Sequence, residues 1–338
     1  MDALPDFRVL SPVTLDGALA ARAQYPDSKP LGGGTDLVVN IRRGIVAPPV
    51  LIDMNGVAEL CAIHADANSL EIGASVRLSE VAAHPAIIAH YPVLAQAAAH
   101  IAGPTQRNMG TIGGNLCLDT RCIFYNQSEW WRDANNHCLK TTGSMCHVAP
   151  KSRGVCFATF AGDLAPALLT LNAEVDIAGP MGKRTIPLNK LYIGFARQDA
   201  PVSETQGDGK YYLSLRLGEI VTAVRAKNSS GLRSGYDKIR IRRSIEYPVA
   251  GVAVALKRVG DTLAELRIAF TGTNPRPVLL DGTDTLCGGP LDSRVFKGLD
   301  ALVRDQIMPM KTTFTPGHYR RRVAGVLARR LLTRLFES

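Results

Sequence analysis

The chain has 338 residues, of which 46% are hydrophobic, and a formal net charge of +9 from 39 basic and 30 acidic side chains. This length and composition predict about two globular domains and exclude a disordered chain. The first residues, MDALPDFRVL, lack a basic start followed by an apolar signal region, and no run approaches about 18 apolar residues. We therefore expect a cytoplasmic protein with no membrane span. The arginines are scattered without interleaved aromatic residues, which favours a solvated basic surface over a nucleic-acid groove.

The N-terminal third predicts short strands and helices in alternation. A helix follows Thr14, which is its predicted N-cap. Strands are predicted at 7–10, 50–53 and 69–74, with a further strand at 59–63. From Leu78 to Ala102, apolar residues recur at helical spacing and are interrupted by Pro85 and Pro92, which predicts two or three short helices.

A first glycine-rich loop, LGGGTDL, runs from Leu31 to Leu37 and leads into the helix-like segment 38–43. Consecutive backbone N–H groups at the start of a helix form an anion-binding site. The loop is not the G-x-G-x-x-G dinucleotide fingerprint, because Leu37 stands where the third glycine belongs. A Rossmann domain is therefore a weak interpretation.

A second glycine-rich loop, GTIGGN, spans Gly110 to Asn115. Glycines allow the backbone to approach a ligand closely, and the loop adds a hydroxyl and an amide as hydrogen-bonding groups. A large ligand such as a flavin dinucleotide needs separate loops for its pyrophosphate and its ring. The two loops together therefore predict a bound dinucleotide.

The segment after this loop holds most of the cysteines of the chain. Cys122, Cys138, Cys146 and Cys156 follow the pattern C-x15-C-x7-C-x9-C, within a stretch that has little apolar alternation. Disulfides are rare in the cytoplasm, so the cluster points to a metal or to redox chemistry. Four thiolates bound to one metal centre would hold the segment together. His137 and His147, each beside a cysteine, leave a mixed His/Cys zinc site open.

The rest of the chain predicts a helix, two strands and then a separate sheet. The helix is predicted to be capped by Asp163, and the chain should close with a helix from Pro316 that Thr315 caps. Strands are predicted at 173–177 and 219–224, and an antiparallel sheet at 236–241, 250–257 and 263–271. A change of composition at 227–231 marks the predicted domain boundary.

Several motifs together resemble the FAD-binding medium subunits of the xanthine oxidase family of molybdenum hydroxylases. They are LGGGTDL, GTIGGNLC, DLAPALLTL, EIV and YDKIRIR, in this order. Most family members pass from the second glycine loop to the DLAPALL helix within about a dozen residues, whereas here about forty intervene. This insertion, with TRCIFYNQSEWWR inside it, closely resembles that of the beta subunits of 4-hydroxybenzoyl-CoA reductases.

The resemblance implies an α+β architecture in two parts. Residues 1–226 would form a two-subdomain FAD-binding fold of the PCMH type, with subdomains of about 1–56 and 57–226 and an iron–sulfur insertion at 120–160. Residues 227–338 would form a smaller α+β C-terminal domain with an antiparallel sheet.

The same resemblance implies the residues that bind FAD. The first loop would wrap the pyrophosphate, Ile101 and Ala102 would lie near the flavin, and Asp163 would bind the ribose or adenine side. Lys238 would lie near the flavin, where its charge would stabilise a reduced, anionic ring. The full implied set is Leu31, Gly32, Gly33, Gly34, Thr35, Asp36, Leu37, Ile101, Ala102, Gly110, Thr111, Ile112, Gly113, Gly114, Asn115, Asp163, Ile220 and Lys238.

For the insertion, the resemblance implies a [4Fe-4S] cluster bound by Cys122, Cys138, Cys146 and Cys156. Cys117 is set aside because family members without the cluster often have a cysteine there, and Cys287 lies far away in the last domain. The C-x2-4-C pairs usual for structural zinc are absent among the four.

The implied function is electron transfer in a complex whose substrate chemistry occurs on another subunit. The implied partners are a molybdopterin-binding large subunit, a small subunit with two [2Fe-2S] clusters and ferredoxin as donor, in a dimer of heterotrimers. Two alternatives stay open. In the first, the chain belongs to a related hydroxylase whose electrons pass outward from molybdenum through FAD to NAD, a quinone or another acceptor. In the second, the insertion is a structural docking module that a metal holds together.

Overall fold

The structure, a computed structural model, describes residues 4–194, 207–227, 231–242 and 244–338. The described strands are β1 (Arg8–Leu10), β2 (Lys29–Leu31), β3 (Val50–Asp53), β4 (Ile63–Ala65), β5 (Ser69–Gly73), β6 (Glu174–Gly179), β7 (Gly182–Pro187), β8 (Ile220–Lys227), β9 (Arg233–Ile239), β10 (Ala250–Val259), β11 (Thr262–Thr271) and β12 (Val278–Leu279). The described α-helices are α1 (Leu15–Gln24), α2 (Leu37–Arg42), α3 (Leu78–Ala83), α4 (Pro85–His90), α5 (Pro92–His100), α6 (Pro104–Arg107), α7 (Ile112–Leu116), α8 (Glu129–Ala134), α9 (Leu164–Thr170), α10 (Ser293–Gln306) and α11 (Gly317–Glu337). The predicted boundary segment 227–231 includes residues 228–230, which lie outside the described residues.

The N-terminal sheet has three parallel strands in the order β1-β3-β2. Helix α1 begins as predicted, with the Thr14 hydroxyl accepting a hydrogen bond from the Gly17 N–H at 3.1 Å. Leu15 and Ala18 of this helix pack with Val50 and Ile52 of β3 in one apolar core. The first glycine loop therefore begins at the end of β2, a strand of this packed α/β layer.

The second sheet has five strands in the order β4-β5-β8-β6-β7, all antiparallel to their neighbours. Helices α5 and α9 contribute the largest part of the helical side of its core, with Leu94 and Leu168 fully buried. The predicted strand at 59–63 is wrong. Ala58–Leu60 forms one 3-10 turn and the strand starts only at Ile63, because Val57 and Leu60 are buried in the core of the first sheet.

The C-terminal part is an antiparallel sheet in the order β12-β11-β10-β9, covered by α10 and α11. The three predicted strands are confirmed, whereas α10 was not predicted. The final helix begins at Gly317, and Pro316 occupies its cap position. The predicted cap by Thr315 is therefore wrong. The predicted α+β organisation, with a separate antiparallel sheet at the C-terminal end, is thus confirmed.

The insertion at 120–160 contains one α-helix, α8, of six residues. A single bridge between Arg121 and Thr159 joins the two ends of the insertion. The Arg132 guanidinium, 2% exposed, donates to the Gly44 carbonyl at 2.8 Å and so fixes α8 to the loop after α2. Ile123 N–H donates to the Thr312 carbonyl at 2.9 Å, which ties the insertion to the C-terminal part. Within the described ranges, no helix has both the length and the apolarity needed to cross a membrane.

Candidate cofactor and metal sites

The two glycine loops lie directly against each other. A Cβ atom built on Gly33 would stand 1.8 Å from the Met109 carbonyl oxygen, and one on Gly32 would stand 2.6 Å from the Thr111 hydroxyl oxygen. Only glycine permits this approach, since real Cβ atoms do not come that close. The loops that sequence reasoning placed about 75 residues apart therefore form one continuous backbone surface.

The second loop becomes the short helix α7. The Thr111 hydroxyl accepts the Gly114 N–H at 3.2 Å and caps it, while Ile112 is fully buried below. Asn115 is also buried, and its side-chain oxygen accepts the Leu164 N–H at 3.2 Å, at the start of α9. Asn115 therefore supports the neighbouring helix, whereas Gly114 is exposed.

Asp163 occupies the N-cap position of α9, yet its side chain makes no cap hydrogen bond, so the predicted cap is wrong. Its Oδ1 atom instead accepts from Lys238 Nζ at 2.9 Å and from the Tyr236 hydroxyl at 2.5 Å. The side chains of Asp163 and Lys238 are 5% and 0% exposed. Burial, and then the Asp163 charge, raise the pKa of Tyr236 well above its usual range, so this phenol stays a donor.

Ile101 and Ala102 form the turn between α5 and α6. Ala102 has φ 43°, a conformation that is uncommon outside glycine. Arg107 holds the turn by donating to the Ile101 carbonyl at 2.7 Å. Arg240, at the end of β9, donates to the His100 carbonyl at 3.2 Å, which brings the C-terminal sheet beside the turn.

Ile220 lies apart from this arrangement. It is 4% exposed, pairs with Ala178 across the sheet, and belongs to the apolar core that contains Val50 and Ile52. Its packing is that of a core residue, and its assignment to a cofactor stays a prediction.

Asp36, in the first glycine loop, links three parts of the chain. Its carboxylate accepts from Asn40 Nδ2 at 3.1 Å and from the Tyr247 hydroxyl at 3.2 Å, and it forms an ion pair with Arg121. The Arg121 guanidinium also lies over the Tyr247 ring, 4.7 Å from its centroid. Sequence reasoning did not identify Arg121 or Tyr247. The position of Arg121, directly before Cys122, is the signal that could have drawn attention to it.

The four cysteines of the insertion line one cavity. Cys122, Cys138, Cys146 and Cys156 are each buried, and the cavity is otherwise lined largely by apolar and aromatic side chains. Cys117 and Cys287 do not line it. Cys117 packs instead against the core of the second sheet, where burial raises the pKa of its thiol to about 12.

Burial also raises the pKa of the Cys122 and Cys156 thiols to about 12. Cys138 and Cys146 raise the value at Cys122 further, whereas Lys140 lowers the value at Cys156. Thiolates are the form that binds metal, so a metal centre here would displace the protons of the Cys122 and Cys156 thiols.

A single metal ion fits this cavity poorly. Tetrahedral zinc needs each thiolate about 2.3 Å from one point, and in the part of the chain that the structure describes no group of three or more His, Cys, Asp or Glu side chains is arranged for one ion. His147 lines the cavity, but its Nε2 lies 2.5 Å from the His137 carbonyl oxygen. The four cysteines thus share one cavity, but the described residues around it form no ready single-ion site.

The comparisons with known proteins decide the family. The family model described as "FAD binding domain in molybdopterin dehydrogenase" matches residues 5–226, and the one described as "CO dehydrogenase flavoprotein C-terminal domain" matches residues 235–335. The chain belongs to this flavoprotein family. It is an FAD-binding electron-transfer subunit of an enzyme of the molybdenum hydroxylase family.

Curated relatives of this flavoprotein subunit span most of its length. The aldehyde oxidoreductase FAD-binding subunit PaoB of Escherichia coli K12 is 31% identical over 280 residues, which cover 80% of this chain and 81% of PaoB. The carbon monoxide dehydrogenase medium chain of Hydrogenophaga pseudoflava is 26% identical over 281 residues, 82% of this chain and 78% of that one.

Solved structures share the fold. A Cu,Mo-CO dehydrogenase chain superposes with a TM-score of 0.77 at 23% identity, covering 99% of both chains. Quinoline 2-oxidoreductase from Pseudomonas putida 86 gives a TM-score of 0.75 at 20% identity, covering 99% of this chain and 98% of that one. The two-subdomain FAD-binding fold with its C-terminal antiparallel domain is therefore established for this subunit.

The glycine loops fit FAD in this family fold. At their contact, Gly33 meets the Met109 carbonyl and Gly32 meets the Thr111 hydroxyl, and Gly34 with φ 70° turns the chain towards α2. Successive backbone N–H groups in such turns suit a pyrophosphate.

Proposed function

We propose that this flavoprotein subunit binds one FAD and one [4Fe-4S] cluster and transfers electrons in a molybdenum-containing 4-hydroxybenzoyl-CoA reductase. The observation that carries the proposal is the cavity lined by Cys122, Cys138, Cys146 and Cys156, inside an insertion that touches the first glycine loop. Four buried thiols around one space are the ligand set that a [4Fe-4S] cluster requires.

The FAD would be held by the backbone of the two loops. We assign the pyrophosphate to Leu31, Gly32, Gly33, Gly34, Thr35, Asp36 and Leu37, and further contacts to the range 110–115. Ile101 and Ala102 lie at the turn beside β9, where they would border the ring, and Lys238 would contribute its charge nearby. Asp163 keeps that charge in place through the 2.9 Å contact between Oδ1 and Nζ. Asp163 is therefore proposed to act on FAD chiefly through Lys238.

Two features of the chain support a metal centre in the insertion. The four cysteines line one cavity, and the segment between them has little regular structure of its own. A metal centre bound by all four cysteines would hold this segment together where regular secondary structure is scarce.

FAD can exchange electrons singly or in pairs, whereas an iron–sulfur cluster carries one electron at a time, so the flavin can exchange electrons with the cluster one by one. Arg121 pairs with Asp36 of the proposed FAD loop and directly precedes Cys122, which supports two neighbouring sites. The insertion is thus fixed to the proposed FAD loop.

In the proposed complex, a molybdopterin-binding large subunit would carry the substrate chemistry, the removal of the phenolic hydroxyl. A small subunit with two [2Fe-2S] clusters would connect it to this chain, and reduced ferredoxin would supply electrons. A dimer of such heterotrimers is the proposed assembly.

The test is purification of the native complex followed by metal, flavin and activity analysis. We expect about four irons bound to this chain in addition to those of the small subunit, one non-covalent FAD released by acid, and dehydroxylation of 4-hydroxybenzoyl-CoA driven by a low-potential donor. A flavin retained in the acid pellet would contradict the non-covalent site. Iron confined to the small subunit would contradict the cluster.

The names of the relatives favour a second candidate, in which electrons leave molybdenum through FAD. They include an aldehyde oxidoreductase, a carbon monoxide dehydrogenase and a nicotinate dehydrogenase. In that case the complex would oxidise its substrate and reduce NAD, a quinone or another acceptor. Substrate-dependent reduction of an acceptor, without dehydroxylation of 4-hydroxybenzoyl-CoA, would select this candidate.

A further inference from the structure

Lys140 is a charged residue in an otherwise uncharged cysteine cavity. Among the described residues that line the cavity it is the only Lys, Arg, Asp or Glu. Its side chain is 5% exposed. A buried ammonium is costly unless it is paired, so its position needs an explanation.

Several groups hold the ammonium in place. Lys140 Nζ donates to Asp119 Oδ1 at 2.6 Å and to the Thr120 carbonyl at 3.0 Å, and it contacts the Thr120 hydroxyl. It also lies over the Tyr125 ring, 4.5 Å from the centroid. The Tyr125 hydroxyl donates to the second Asp119 oxygen at 3.0 Å and fixes the carboxylate in turn.

The ion pair is oriented with respect to the cysteines. Lys140 lines the cavity, whereas Asp119 does not. Of the two members of the pair, the lysine is therefore the one that borders the cavity, and its charge lowers the pKa of the Cys156 thiol.

We propose that the positive charge of Lys140 stabilises the reduced form of the cluster and so raises its redox potential. This proposal rests on the proposed [4Fe-4S] site. One electron, taken from a one-electron carrier protein, adds one negative charge to the cluster, and no bond or proton of the chain changes. A fixed cation beside a cavity with a largely apolar lining favours that added charge, because Coulomb interactions are strong at low dielectric.

The test is an EPR-monitored redox titration of the purified complex with dithionite, with iron and FAD content measured on the same samples. Lys140→Met should give a more negative midpoint potential at unchanged iron content. Lys140→Arg, which keeps the charge, should stay close to the wild type. Asp119→Asn, which leaves the cation without its negative partner, should shift the potential to more positive values.

A wild-type potential in Lys140→Met with full iron would overturn the proposal. If Lys140→Met loses iron, Lys140→Gln, which removes the charge but can still hydrogen-bond to Asp119, decides at full iron content: a more negative potential supports the role of the charge, and a wild-type potential overturns it. A wild-type complex whose flavoprotein chain has no iron of its own would instead remove the proposed cluster, and the role of Lys140 with it. Iron content in the wild type thus separates the failure of the cluster from the failure of the lysine.

Discussion

The two glycine loops and the cysteine insertion are neighbours in space, but they are stabilised in different ways. The second loop caps a helix whose Ile112 and Leu116 are fully buried in the core of the second sheet. The insertion has one helix of six residues and depends on a few anchors, such as Arg132 and the bridge between Arg121 and Thr159. The loops are thus shaped by packing before any ligand binds, whereas the proposed metal centre would supply much of the order in the insertion.

The largest expected effect comes from removing a cysteine that lines the cavity. Cys156→Ser should reduce the iron of this chain from about four to less than half, because a hydroxyl is a poor substitute for a thiolate. The insertion should become more sensitive to protease, while FAD content stays near the wild type. Iron analysis, flavin absorbance and limited proteolysis measure the three quantities.

Cys117→Ser is the matched control for this change. It lies in the same part of the chain but packs in the second core and not in the cavity, so iron should be unchanged. Loss of iron in Cys117→Ser together with full iron in Cys156→Ser would place the metal elsewhere. Loss of FAD in Cys156→Ser would show that the two regions are not independent.

The buried ion pair between Asp163 and Lys238 should be the most sensitive point on the FAD side. Lys238→Met leaves a carboxylate that is 5% exposed without its cation, and breaking such a pair costs about 3–5 kcal/mol in free energy of unfolding. Urea unfolding measures this cost. Combining Lys238→Met with Asp163→Asn should recover part of it.

Arg329→Ala is the control for the ion pair. Arg329 pairs with Asp300 at 3.3 Å, and their side chains are 43% and 45% exposed, so its removal should change stability by less than about 1 kcal/mol. Equal effects of Lys238→Met and Arg329→Ala would show that burial of the pair does not matter for stability.

A smaller effect is expected where the two glycine loops meet. Gly33→Ala would bring a Cβ atom to 1.8 Å from the Met109 carbonyl oxygen, so the loops must separate. Overpacking of this kind costs about 1–3 kcal/mol, which corresponds to roughly fivefold to 150-fold weaker retention of FAD if the loops bind it. Equilibrium dialysis of the flavin measures the change.

Gly289→Ala is the matched substitution, since its nearest contact would be Arg294 Nη2 at 3.6 Å. It should leave FAD binding unchanged. Full FAD retention in Gly33→Ala would remove this contact from the proposed site.

The smallest effect is expected at the junction between the two regions. Tyr247→Phe removes the hydroxyl that donates to Asp36 at 3.2 Å but keeps the ring under Arg121. The loss of one partly solvated hydrogen bond should lower stability by about 0.5–1.5 kcal/mol, with iron and FAD content unchanged. Thermal unfolding of the wild type and the variant provides the comparison. A large loss of FAD here would show that Asp36 depends on Tyr247 more than on Arg121.

Much of the fold followed from local pattern. Thr14 caps its helix as predicted, and the strands 250–257 and 263–271 lie within β10 and β11. Errors occurred where burial comes from distant residues. The apolar residues at 57–60 pack on the first sheet as a turn, and the side chain of Asp163 turns from its helix to Lys238 and Tyr236.

The sequence by itself determined the two glycine loops, the four cysteines and the family to which they belong, because these features are short motifs whose chemistry depends on residue type and spacing. The tertiary structure decided which groups meet. It brought the four cysteines to one cavity, placed Lys140 at that cavity in an ion pair with Asp119, and joined Asp36 to Arg121 and Tyr247. These contacts join residues that are far apart in the chain. Their geometry depends on how three sheets and an irregular insertion pack together, and a local sequence pattern does not predict this packing.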